Sequence, residues 1–165
     1  TSSLVITATG TIFNIKDYDS KPGAETILVS GKVSVGRKSE YVKNEILSRL
    51  NPGERLLFEK QTQRFTIDQV DTYKYTAWKD GKLIFRNDPL RNVVERISQI
   101  YNVDIELQGD ALQDYRYRAT FQDESLEEIL RLLALSSPVN YVELKRVPLA
   151  DGTFPRKKII IYPAK

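Results

Sequence analysis

Two stretches, "FRNDPLRNVVERI" from Phe85 and "FQDESLEEILRLL" from Phe121, carry one pattern: a phenylalanine, a short polar bridge and an amphipathic helix. Aligning them sets Phe85 on Phe121, Leu90 on Leu126, Val93 on Ile129 and Ile97 on Leu133. Apolar residues three and four apart give each helix a single buried face. Each helix is followed by a strand-forming run, Val103, Ile105 and Leu107 in one case, Val139, Tyr141 and Leu144 in the other. A β-α-β unit cannot bury its helix alone. Two of them can cover a small mixed sheet and leave its other face or an edge free.

The punctuation around these helices is explicit. Asp88 is placed to cap the first helix, with Pro89 at its first position, where no N–H is needed. Asn102 suits a left-handed stop. Ser125 and Glu128 have the spacing of a capping box, and Pro138 forbids further helix. Asp80-Gly81 has the form of a hairpin turn ahead of Leu83 and Phe85. Asp151-Gly152 marks a loop, and "KKIIIYP" reads as a last buried strand.

Residues 1–73 have a different texture. "LVITATGTIFNI" alternates through Leu4, Ile6, Ile12 and Phe13 with a break at Gly10, and "ETILVSGKVSV" offers a strand pair or one bent strand around Gly31. Pro22-Gly23 and Pro52-Gly53 are turn signals, proline setting φ and glycine supplying positive φ. "GRKSEYVKNEILSRL" fits either a short helix or a mobile hairpin. The expectation is an α+β chain: an all-β sandwich or roll over 1–73, then a small β-α-β-β-α-β repeat domain over 74–165.

Apolar residues make up 41% of the chain and charged ones 28%, a balance that supports a folded, soluble domain. No run approaches the roughly 18 apolar residues of a membrane span. With Thr1 first and no methionine present, the chain is expected to be a processed or excised segment. Histidine and cysteine are both absent, which removes imidazole and thiol chemistry, disulfides and ordinary zinc sites. The net charge is only +3, and the charges are interspersed, so no nucleic-acid partner is expected.

Candidate chemistry reduces to structural roles. Glu124, Glu127 and Glu128 lie in a helix's first turn, where acids complement the macrodipole. Asp104 and Glu106 share one face of a strand without metal-ligand spacing. Ser30-Gly31-Lys32 and Ser136-Ser137 have no base beside them, and no glycine-rich phosphate loop occurs. No catalytic residue, cofactor or metal is expected. In "DYRYRATF" the strand period puts Tyr115 and Tyr117 on one face and Arg116 and Arg118 on the other. Aromatic packing on the helices or protein contact would use that strand.

At these residues the chain resembles a known family. "GTIFNIKDY", "TILVSGKVSV" and "LNPGE" resemble the later strands of the FecR domain of transmembrane anti-sigma regulators. "YTAWKDGKLIFRNDPLRNVVERISQIYNVDIEL" through "FQDESLEEILRLLALSSPVNYVEL" resembles the C-terminal domain that follows it, itself similar to the secretin/TonB short N-terminal domain. The W-x-DG-x-L-x-F-x-N-x-P-L run carries most of the specificity. The resemblance implies a partial FecR domain over 1–73 and an STN-like domain over 74–165. It implies a non-enzymatic periplasmic module of a single-pass inner-membrane protein. Such a module senses the N-terminal signalling domain of a TonB-dependent outer-membrane receptor and controls an extracytoplasmic-function sigma factor through a cytoplasmic segment absent from this chain. The residues expected at the partner contact are Tyr115, Arg116, Tyr117 and Arg118, with the edge at Val103 and Ile105. The rival readings are a nucleic-acid-binding module, suggested by "YRYR" but lacking an RNP-like segment, and a periplasmic glycan-binding domain using Trp78.

Overall fold

The structure is a computed structural model that describes residues 1, 3–19, 21–38 and 45–164. The chain divides into two units, Thr1–Asp80 and Gly81–Lys165, so the division falls a few residues beyond the composition change near 73.

The first unit is a five-stranded antiparallel sheet: β1 (Leu4–Asp17), β2 (Gly23–Arg37), β3 (Glu45–Leu50), β4 (Glu54–Glu59) and β5 (Phe65–Gln69). Strand β2 pairs β1 along one side and β4 then β3 along the other, and β5 adds to β4. Leu4, Leu28, Val33, Val35, Leu50, Leu56 and Phe58 form its core. The run around Gly31 is thus one bent strand. Gly31 has φ +89, and a Cβ there would stand 2.5 Å from the Gly10 carbonyl oxygen and 2.8 Å from Thr11 Cα. Opposite it β1 bulges between Thr9 and Ile12, and on the other flank Gly53 N–H donates to Leu28 O at 2.9 Å. Neighbouring strands therefore break along one line, and the sheet bends there.

Two local expectations change and a third is narrowed. Gly23 opens β2 without left-handed backbone; the turn precedes it, with Lys21 N–H donating to Tyr18 O at 3.0 Å. Of the ambiguous stretch, 45–50 is strand β3, and residues 39–44 lie outside those described. Asp80-Gly81 is not a hairpin turn: Thr72–Thr76 forms a short helix, α1, Ala77–Asp80 a 3₁₀ turn, and Gly81 (φ +69) converts it to strand.

The second unit runs β6 (Lys82–Pro89), α2 (Leu90–Tyr101), β7 (Asp104–Leu107), α3 (Asp110–Gln113), β8 (Arg116–Gln122), α4 (Leu126–Ser136), β9 (Val139–Glu143) and β10 (Lys158–Pro163). All eight residues matched by the sequence repeat are buried. The strands form two sheets instead of one. Strands β6 and β8 pair antiparallel about Ile84↔Thr120, so that Leu83↔Phe121 and Phe85↔Ala119 are equivalent rungs. Strand β10 inserts between the equivalent strands β7 and β9, with Ile160 paired to both Glu106 and Val142. Its fully buried Ile159 and Ile161 complete the core under α2 and α4. The final strand thus occupies the inner edges of both β7 and β9 and separates them from one another.

The helix ends follow the punctuation in part. Asn102 closes α2 with φ 52 and ψ 49, and its N–H donates to Ser98 O. Pro89 itself sits at the N-cap of α2, while Asp88 Oδ2 accepts from Arg86 N–H at 2.7 Å across a bulge at Asn87 (φ 60). A carboxylate two residues after a bulged N–H reaches that donor before it reaches the helix. Ser125 Oγ accepts from Glu128 N–H at 3.2 Å, but both Glu128 carboxylate oxygens go to Arg131, at 2.6 and 2.9 Å. Half of the capping box forms.

Candidate functional site

The clusters that could have carried chemistry are dispersed into ion pairs. Lys157 Nζ lies 3.0 Å from Glu143 and 3.5 Å from Glu127, and Lys158 Nζ lies 3.1 Å from Glu106. The hydrogen bond from Gln108 and the Lys158 ammonium hold the Glu106 carboxyl below its ordinary pKa. Among the described residues no three acids gather as metal ligands. Ser30-Gly31-Lys32 is the β2 bend, where Lys32 N–H donates to Thr11 Oγ1 at 3.2 Å. On the first unit Lys16, Glu25, Arg55 and Asp68 form a ladder of ion pairs across four strands. The Tyr75 ring covers it, its hydroxyl accepting from Arg55 Nη1 at 3.0 Å. This ladder ties α1 to the sheet.

The described residues also present open strand edges. Strand β8 pairs only with β6, and β7 and β9 each pair only with β10, so each has one side unpaired within the described residues. The expected contact residues divide accordingly. Tyr117 is 5% exposed and packs against Phe85 and Phe121, and its hydroxyl lies 3.2 Å from Ser136 Oγ. Val103 is 6% exposed, and both belong to the core. Tyr115 and Ile105 are partly buried against the same core. Arg116 and Arg118 point outward, with Arg116 Nη1 donating to Asn87 O at 3.3 Å. The two segments lie in different sheets and do not form one edge. Gln113 Nε2 donates to Leu107 O, which partly closes the β7 side.

A third edge was not anticipated. From Asn140 to Arg156 every residue is exposed, among them Tyr141, Val142, Leu144, Val147, Leu149 and Phe154. The sequence signal was present as "VNYVELKRV", a β-forming run bounded by Pro138 and Pro148. Strand β9 takes its first half, and Leu144–Val147 carry no regular secondary structure.

Comparison with known proteins adds the following. Residues 82–147 match the sequence profile of the family described as "FecR, C-terminal". Two crystal structures described as a "putative anti-sigma factor" from Parabacteroides distasonis superpose on this chain at 23% identity, with TM-scores of 0.72 and 0.70. Each alignment covers 99% of this chain, and 69% and 68% respectively of the other. No curated protein matches significantly.

Proposed function

We propose that this chain is the periplasmic signalling part of a FecR-type anti-sigma regulator, acting by protein contact and not by catalysis. The observation that carries this reading is the FecR C-terminal match over residues 82–147, in a chain whose whole length shares a fold with the Parabacteroides distasonis structures. The second unit corresponds to the STN-like domain in this reading and the first to part of a FecR domain. The partner is the N-terminal signalling domain of a TonB-dependent outer-membrane receptor. The sigma factor is engaged through a cytoplasmic segment of the longer, inner-membrane protein. Open strand edges and exposed arginines on β8 suit recognition by strand addition.

The test is calorimetric titration of this chain with the isolated signalling domain of the receptor encoded beside it, at physiological salt. Saturable one-to-one binding is expected. Absence of binding by a folded chain would overturn the reading. Arg118→Glu on the β8 edge is expected to weaken binding about tenfold or less, because an exposed charge acts mainly on encounter and register.

A further inference from the structure

We propose that the outer edge of β9, prolonged through Lys145–Val147, is a strand-addition site for an extended, acidic and apolar segment of a partner protein. This deepens the protein-contact reading above without depending on any particular receptor. Leu144 N–H donates to Lys158 O at 2.9 Å and Ala164 N–H to Pro138 O at 2.9 Å. In an antiparallel ladder alternate residues face the same way, so Asn140, Val142 and Leu144 address β10. Tyr141 and Glu143 then turn their backbone groups away from the sheet, and Lys145–Val147 continue beyond the last rung without regular secondary structure. Among the described residues no backbone hydrogen bond reaches Tyr141, Glu143 or Lys145–Val147 from that side.

Beyond Leu144 the connection leaves the sheet as an arm closed by a turn, with Gly152 N–H donating to Leu149 O at 2.9 Å and Leu149 N–H to Thr153 O at 2.7 Å. Between that turn and the Leu144 rung no backbone bond joins Lys145–Pro148 to Phe154–Lys157. Across the gap Arg146 lies over the Phe154 ring, 5.6 Å from its centroid. Proline at 148 and 155 removes two donors that could have closed it. The result is a run free of proline from Val139 to Val147 with open backbone groups and exposed Val142, Leu144 and Val147.

Charge selects the occupant. Glu143 is neutralised by Lys157 at 3.0 Å, whereas Lys145 and Arg146 have no acid within ion-pair distance among the described residues. An acidic strand complements them, while a second copy brings the same cations. Lipid headgroups offer no ordered row of alternating donors and acceptors to match a strand edge, whereas an extended polypeptide does.

The test is amide hydrogen exchange and NMR titration of the full chain with a short capped peptide of alternating valine and glutamate. The counterpart with lysine for glutamate serves as the control. Slowed exchange at Tyr141, Glu143 and Lys145, and about tenfold weaker binding of the lysine peptide, are expected. Lys145→Pro, which removes an outward donor and no ladder bond, should bind about tenfold more weakly than Lys145→Ala, the loss of one hydrogen bond. No binding, equal response to both peptides, protection on β8 instead, or a concentration-dependent dimer through β9 would each overturn the proposal. Because the peptide is independent of the receptor, failure here leaves the receptor titration to decide the broader reading.

Discussion

Asp17 places a carboxylate that is 1% exposed 2.8 Å from Lys60 Nζ. Burial pushes its pKa up, but hydrogen bonds from Lys60, Thr1 and Ser3, with the Lys60 charge, pull it further down, to about 2. A carboxyl depressed on folding stabilises above its unfolded pKa and loses that contribution as pH falls through the folded value. These contacts are together worth roughly 2 kcal/mol at neutral pH, lost between about pH 4 and pH 2. Asp17→Asn should flatten that part of the pH–stability curve in urea melts, and an unchanged acid limb would refute the assignment. Along β8 the residues separate by role. Tyr117→Ala should destabilise by about 3–5 kcal/mol, as for other large core truncations, whereas Arg118→Ala should stay within about 0.5 kcal/mol. Equal effects in denaturant midpoints would contradict the alternation. That alternation was legible from "YRYR" alone. Which face the helices would cover was not, because it depends on residues of α2 and α4 far along the chain.

At the scale of elements, the helices were legible and the strands only as isolated pieces. The buried stripe Leu126, Ile129, Leu130 and Leu133 and the caps at Asn102 and Ser125 follow from local spacing. Ser125→Ala should cost about 1 kcal/mol, the usual worth of such a cap. The bent sheet depends on close approach. Gly31→Ala adds a Cβ into the backbone of Gly10 and Thr11, whereas Gly10→Ala meets nothing within 4 Å. Both pay for left-handed backbone, about 1–2 kcal/mol, but only Gly31→Ala should also disturb the β1–β2 register. Thermal melts should rank Gly31→Ala well below Gly10→Ala, and the reverse order would mean the bend tolerates displacement. Asp88 shows the limit of local rules. Its spacing suits a helix cap, yet the bulge at Asn87 brings Arg86 N–H to it first.

Over the whole molecule, each unit has its own core. Residues 81–165, expressed alone, should therefore unfold cooperatively in urea and retain the near-ultraviolet signal of packed tyrosines, and a broad, signal-poor transition would refute that independence. By itself the sequence determined the two amphipathic helices, the β character of the first part, the repeat and the absence of histidine and cysteine chemistry. Those are properties of nearest neighbours along the chain and of residue type. Tertiary structure alone decided that β6 pairs β8, that β10 separates β7 from β9, and that the β9 edge is unpaired among the described residues. Strand pairing joins residues tens of positions apart, and its register is set by which buried faces meet. Ile159 and Ile161 take the central position because burial there completes the core under both helices.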